Sequence, residues 1–310
     1  MTARFGLLLM AYGSPATLDD VEAYFTHLRG GRTPSPDAIR ALRERYLRIG
    51  GRSPLLEITQ RQASGVEALL RRQGLSVRAY VGMKHAPPFI AEAVAEMAAD
   101  GVRQAAGVAL APHYSAMSIG GYLSAATEAA AAHGIEMRYV EHYHDHPGLI
   151  RALTNRLELA RATFPDGRAV PVVFTAHSLP QRILQWSDPY PGQLRRTCEL
   201  VASLAGIETW RFAFQSASHT GEPWLGPDIL DVLRELHAGG TREVIVSPIG
   251  FVADHLEVLY DIDVEARATA DVLGMRLVRA PSLNDGEDFL AVLADLVRRA
   301  LAGDQVQARV

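Results

Sequence analysis

Between Gly250 and Glu265 the chain carries carboxylates at Asp254, Glu257, Asp261 and Glu265. On an α-helix each residue turns about 100°, so these four would fall within roughly 80° of one another. Phe251, Val252, Leu256, Leu259 and Ile262 take the remaining directions, which makes the acids a stripe on an otherwise apolar helix. Glu257/Asp261 and Asp261/Glu265 are then like-charge neighbours, each pair costing roughly 0.2–0.5 kcal/mol. Oxygen ligands aligned in this way suit a hard or borderline divalent cation. Asp254 and Glu257 also have the spacing of an N-cap and its reciprocal partner, which predicts a capping role for Asp254. Asp261 and Glu265 lie beyond the first turn, where the alternative to a cation path is a solvated acidic face.

His177 is the natural partner of that stripe. It closes an apolar run in Thr175-Ala-His-Ser-Leu-Pro180, where a neutral imidazole could bind a metal or take a proton. The alternative is a histidine that only hydrogen-bonds its neighbours; a histidine and several carboxylates at one sheet edge favour the metal. His142, His144 and His146 alternate along an extended segment and could together hold a metal, but Pro147 and the helical pattern after it favour a strand exit with solvated histidines; His85 and His113 are in the same position, each more often a packed or hydrogen-bonded residue than a ligand. The Arg-rich stretches Arg29-Gly-Gly-Arg-Thr-Pro-Ser-Pro36 and Arg43 to Pro54 could place Arg29, Arg45 and Ser53 to clamp carboxylates by charge-assisted bonds. Neither a G-x-G-x-x-G fingerprint nor a P-loop occurs, so nucleotide binding has no support.

Short β-rich runs at 5–11, 77–82, 106–111 and 136–141 alternate with helical stretches such as 61–73 and 89–100. Further runs at 170–176, 209–215, 243–247 and 275–280 repeat the pattern, which predicts two similar doubly wound α/β domains with parallel sheets. Leu8 to Pro15 aligns with Val173 to Pro180, so Tyr12 and His177 hold equivalent positions. Ligands of such sheets sit beyond the carboxyl ends of the strands, so an interdomain cleft is expected. The domain boundary is expected at residue 160, giving 1–160 and 161–310, with an insertion at about 15–55 forming a polar lip.

A chain of 310 residues, 48% hydrophobic, can bury a large core, and a formal net charge of −4 gives no pull toward nucleic acid. The apolar run at 5–11 is too short to span a membrane and ends at no cleavage site. Cys198 is the one cysteine, which excludes a disulfide framework and fits a reducing cytoplasm.

Taken together, Met10-Ala-Tyr-Gly-Ser-Pro15, Leu110-Ala-Pro-His-Tyr-Ser115, Ala176-His-Ser-Leu-Pro180, Asp188-Pro-Tyr-Pro191, Pro223-Trp-Leu-Gly-Pro-Asp228 and Gly250 to Asp261 resemble the ferrochelatases in order and over nearly the whole chain. The resemblance implies a chelatase-type fold with a porphyrin cleft, and His177 and Glu257 as the catalytic residues that handle iron. It is strongest to the coproporphyrin ferrochelatases, which insert Fe2+ into coproporphyrin III while four propionates are still present. Ala11-Tyr-Gly and the polar Thr26 to Pro34 stand where protoporphyrin enzymes carry an apolar lip. Tyr12, Arg29, Arg45, Tyr46, Ser53 and Tyr122 are by this resemblance tetrapyrrole contacts, with Tyr12 an axial contact to the product iron.

The expected activity is release of two protons and formation of Fe-coproporphyrin III, with His177 and Glu257 facing each other across the porphyrin. Asp261 and Glu265 would relay hydrated metal, and an additional divalent cation could sit at that outer acidic site. No organic cofactor is expected. Relatives with a [2Fe–2S] cluster need four cysteines and a C-terminal extension, so a cluster-free, cytoplasmic monomer with only transient pathway partners is expected. Gln215 to Glu222 lacks the acidic residue that some relatives carry after Gln-Ser. The competing readings are a protoporphyrin IX or other tetrapyrrole chelatase and, in a different class, a non-catalytic haem or metal carrier.

Overall fold

The computed structural model describes residues 5–166, 169–218 and 221–303. Its contacts divide the chain into two units, residues 1–143 with 284–310, and residues 144–283.

The first unit is built on the parallel strands β1 (Phe5–Ala11), β2 (Val77–Met83), β3 (Gln104–Ala109) and β4 (Glu136–Val140), in the order β2-β1-β3-β4. Leu7, Leu8, Leu9 and Met10 have no exposed surface, as a central strand covered on both faces requires. A 3-10 turn at Leu18–Asp20, α1 (Val21–Leu28) and α2 (Pro36–Arg48) form the predicted insertion, and α3 (Leu55–Arg72) returns the chain to β2. Ser35 accepts a hydrogen bond from the Ala38 amide with Pro36 at the first helical position, so α2 starts where its sequence dictates. Arg43 ties α2 to the turn through the Leu18 carbonyl and Asp19, both at 3.0 Å. The unit is completed by α4 (Ile90–Ala99) and α5 (Ile119–His133).

The second unit repeats the plan with β5 (Val172–His177), β6 (Trp210–Gln215), β7 (Glu243–Ser247) and β8 (Arg276–Arg279), all parallel, in the order β6-β5-β7-β8. Around it lie α6 (Pro147–Arg161), α7 (Tyr190–Leu204), α8 (Ile229–Ala238), α9 (Leu256–Leu259) and α10 (Arg267–Val272). Val173, Val246, Val258, Ile262 and Leu277 belong to one buried cluster, so the segment after β7 is anchored by its apolar residues. In both sheets the direction of strand addition reverses between the first and third strands, β1/β3 and β5/β7, which is where doubly wound sheets open a crevice.

The two-domain α/β expectation holds, but the boundary is not a single cut at residue 160. Helix α6 packs on α7 and belongs with the second unit. The last helix, α11 (Glu287–Ala302), packs on α3, β3 and β4 of the first. Residues 304–310 lie outside the described residues.

Gly250 shows how closely the second unit's site is drawn. Its amide donates to the Thr175 carbonyl at 3.1 Å, and a Cβ there would stand 2.5 Å from the Ala176 Cβ. Gly192, in the first turn of α7, has open space around it. Gly250→Ala is expected to destabilise the protein by about 2 kcal/mol through overpacking, while Gly192→Ala stabilises it by about 0.5–1 kcal/mol. Urea denaturation of both variants checks the pair.

Candidate active site

His177 is the last residue of β5, and hydrogen bonds at His177, Ser178 and Gln181 hold the chain there. The Tyr190 hydroxyl donates to the His177 carbonyl at 2.9 Å. Ser178 is fully buried, its amide bonded to the Gln215 carbonyl and its hydroxyl to the Leu225 carbonyl. Gln181 bonds to Pro223 through its amide and to Trp224 through its side chain, both at 2.9 Å. The Asp188-Pro-Tyr-Pro and Pro-Trp-Leu-Gly-Pro-Asp motifs are thus the braces of the strand end that carries His177. The imidazole lies 6.3 Å from the Trp224 ring, and its Nδ1 donates to the Ser178 carbonyl, which leaves Nε2 for chemistry.

Nε2 faces Glu257 Oε1 at 3.4 Å. Glu257 follows β7, so histidine and carboxylate come from the two strands that flank the reversal in strand order. His255, which sequence reasoning passed over, lies on the other carboxylate oxygen at 3.6 Å, with its own Nδ1 donating to the Ala253 carbonyl. Gln215 donates to the Glu257 carbonyl at 2.7 Å. His177 and Glu257, expected to face each other across a porphyrin, touch directly in this structure. A macrocycle in van der Waals contact on both faces needs its neighbours about 7 Å apart, so no macrocycle fits between the two side chains as they stand.

Between Glu257 and Glu265 the chain is not a continuous α-helix. Residues Asp261–Ala266 form a π-helical turn, with the Tyr260 carbonyl accepting from both Val264 and Glu265 amides. Such turns are rare and frequent at functional sites. The even 100° stripe is therefore interrupted: Asp261 is buried at 3% exposure and accepts a hydrogen bond from Ser216, whereas Glu265 is exposed. A wholly solvated acidic face is thereby excluded for Asp261. Ser216 has a left-handed backbone, φ 62°, that aims its hydroxyl at this carboxylate. The Gln-Ser motif therefore contacts both Glu257 and Asp261 without the acidic residue that some relatives carry after it, although His219 and Thr220 of that stretch lie outside the described residues.

The capping role expected of Asp254 is also corrected. The residue before α9 is His255, and Asp254 instead accepts from Arg279 Nη1 at 3.2 Å and from Ser282 at 2.7 Å. Arg279 grips Asp263 at 2.9–3.0 Å as well. Its distance in sequence concealed the pairing.

The other expected contacts belong to the first unit. Tyr12 follows β1 and is 41% exposed, with its ring edge-on to His85 at 4.6 Å. Burial, then the charges of Lys84 and His27, lower the His85 pKa to about 4, so its imidazole is neutral at pH 7. Arg29 is exposed at the end of α1 above the Phe25 ring. Arg45 is half-buried on α2, and Ser53 accepts from the Leu55 amide at 3.3 Å. Tyr46 and Tyr122 are placed differently from the exposed Tyr12: both rings are interior to the unit, Tyr122 beneath the Lys84 ammonium at 5.1 Å. His146 caps α6 by accepting from the Gly148 amide, as a strand-exit residue would.

Burial alone would lower the His177 pKa. The Glu257 carboxylate, the Ser178 carbonyl and the Asp261 charge outweigh it and push the value up to about 9. Burial would raise Glu257, but His177 and His255 hold it well below the ordinary carboxylate range. The resting site is therefore an imidazolium–carboxylate pair. Its stabilisation is full below the ordinary histidine pKa of about 6.5 and is lost as pH rises through about 9. NMR titration should show the His177 imidazole of Glu257→Gln falling by about 1–3 units from the wild-type value. An unchanged titration in that variant contradicts the pairing.

A family model for ferrochelatases matches residues 4–301. The ferrochelatase of Herpetosiphon aurantiacus is 43% identical over 302 residues, covering 96% of this chain and 99% of that one. The coproporphyrin III ferrochelatase of Oceanobacillus iheyensis is 40% identical over 301 residues, covering 96% of each chain. Among solved structures, the sirohydrochlorin chelatase SirB from Bacillus subtilis subspecies spizizenii, in complex with cobalt, is similar in fold with a TM-score of 0.61 at 13% identity, over 98% of both chains. With a family match over nearly its full length and relatives above 40% identity, this chain belongs to the ferrochelatase family.

Proposed function

We propose that this protein inserts Fe2+ into coproporphyrin III in haem biosynthesis, with His177 and Glu257 receiving the metal from one side of the macrocycle. The observation that carries the reading is the 3.4 Å contact between His177 Nε2 and Glu257 Oε1 at the carboxyl edge of β5 and β7. In the resting pair a proton on His177 balances Glu257. Iron arriving at Glu257 brings positive charge beside the imidazolium and drives off that proton, since metal ligands must be deprotonated to bind. The neutral imidazole is then basic enough to take a pyrrole proton as iron enters the ring. That transfer restores the imidazolium and the second pyrrole proton passes to solvent, so that, with the proton first released from His177, two protons reach solvent for each Fe2+ inserted and charge balances. Asp261, buried, and Glu265, exposed, form a graded approach along which hydrated Fe2+ loses water before it reaches Glu257, and Glu265 can hold a further divalent cation at the outer end.

Coproporphyrin is favoured over protoporphyrin by the exposed guanidinium of Arg29 and the polar residues around it, together with Arg45. Guanidinium groups match propionates in shape and charge. Binding energy from four propionates can contribute to puckering the ring for metallation. The similarity to the Oceanobacillus iheyensis protein, named a coproporphyrin III ferrochelatase, supports the same substrate. The reading includes a cytoplasmic monomer with no organic cofactor or [2Fe–2S] cluster, which meets pathway partners transiently. No helix among the described residues is long and apolar enough to cross a membrane.

His177→Ala and Glu257→Gln should each lower anaerobic Fe2+ insertion into coproporphyrin III by about 100-fold or more, and retained turnover in both overturns the mechanism. A carrier, unlike an enzyme, would bind preformed haem and never make it. Coproporphyrin III should be metallated in clear preference to protoporphyrin IX, with its KM rising as salt screens the guanidinium contacts. A preference for protoporphyrin refutes the substrate assignment.

A further inference from the structure

Five carboxylates stand between Asp254 and Glu265, and their surroundings sort them into two sets. Glu257 faces His177 and His255, Asp261 meets Ser216, and Glu265 is exposed. Asp254 and Asp263 are instead both gripped by Arg279, whose side chain is 13% exposed, and Asp263 has in addition the more exposed Arg267 at 3.5 Å. Its Nε and Nη2 engage Asp263 at 2.9–3.0 Å, and its Nη1 engages Asp254 at 3.2 Å. Ser282 adds a hydrogen bond to the same Asp254 oxygen at 2.7 Å. Arg279 ends β8, Asp254 precedes α9 and Asp263 lies inside the π-helical turn. One guanidinium thus ties both sides of the iron-facing segment to the sheet.

We propose that Arg279 is a positioning residue for iron delivery: it withdraws Asp254 and Asp263 from the cation path and holds the π-helical turn so that Glu257, Asp261 and Glu265 alone face the incoming Fe2+. The role rests on the reading of Glu257 as an iron-handling residue. Without Arg279, two half-buried carboxylates in one small region lose the cation they share, and Asp263 keeps only the more exposed Arg267 at 3.5 Å. Oxygen donors so placed are a ready site for a hard divalent cation, and they would compete with Glu257 for the substrate metal. Only a guanidinium can grip both acids at once, because its fork presents donors on two edges.

The test compares Arg279→Met, Arg279→Lys and the triple variant R279M/D254N/D263N, which removes both acids along with the guanidinium, all as the full chain, by Fe2+ titration at saturating porphyrin. Arg279→Met should raise the KM for Fe2+ by about tenfold or more, with the porphyrin KM unchanged, and should become sensitive to inhibition by Ca2+. Arg279→Lys, able to hold one acid, should show an intermediate rise. The triple variant, which removes the competing charges, should recover most of the wild-type Fe2+ KM and lose the Ca2+ sensitivity. If Arg279→Met does not fold, the lysine and triple variants decide the matter by the same two readouts. A wild-type Fe2+ KM and no Ca2+ inhibition in every folded variant overturn the proposal. Glu257→Gln assayed alongside separates the two claims: an active Glu257→Gln removes the parent reading and this one with it. An inactive Glu257→Gln beside wild-type Arg279 variants removes the role of Arg279 alone.

Discussion

The second unit is organised around one electrostatic constraint, an imidazolium and a carboxylate held 3.4 Å apart at the reversal point of a parallel sheet. Two partly buried charges are costly to desolvate, and breaking such a pair by removing one partner leaves the other uncompensated. Both members are accordingly braced by backbone contacts. On the histidine side, Tyr190, Ser178 and the Pro223 to Asp228 segment hold the end of β5. On the glutamate side, Gln215 fastens the Glu257 carbonyl, and the missing side chain of Gly250 lets the segment approach β5. These contacts fix where the charges meet, and the Glu257 carboxylate, with the Ser178 carbonyl and the Asp261 charge, outweighs burial to hold His177 protonated at neutral pH.

For a family whose substrates are a divalent metal and a porphyrin, the pair has a further meaning. On the proposed mechanism, the resting proton on His177 occupies, electrostatically, the place that Fe2+ would take at Glu257. Exchange of proton for metal would keep the site from carrying an unbalanced buried carboxylate at either stage. The surrounding acids extend this economy outward, since Asp254 and Asp263 are committed to Arg279 while Glu265 stays in solvent. The segment is strongly acidic in sequence, yet its charge in the folded protein is directed.

Much of the fold was legible because central parallel strands are continuous apolar runs, and every predicted run overlaps a strand. The internal repeat also placed His177 and the Glu257 segment at one sheet edge, since equivalent strand ends in doubly wound sheets share a geometry. What stayed hidden follows from what a linear pattern omits. A helical wheel assumes a uniform turn, so the π-helical register of Asp261–Ala266 was invisible, and with it the different burial of Asp261 and Glu265. Asp254 has the spacing of a cap, but its partner Arg279 is 25 residues away and competes successfully through a charged bond. The exchange of α6 and α11 between units depends on packing, which strand and helix periodicity do not encode. Tyr46 and Tyr122 carry an expected contact role by resemblance, whereas their burial reflects the amphipathic helices that bear them.

The most direct test of the proton-for-metal account is calorimetry of Zn2+ binding, as a redox-inert stand-in for Fe2+, to the porphyrin-free protein at pH 7.5 in buffers of different ionisation enthalpy. The account predicts release of about one proton per metal bound by the wild type, and none attributable to this site in His177→Ala. Metal binding at the wild-type site without proton release would contradict it.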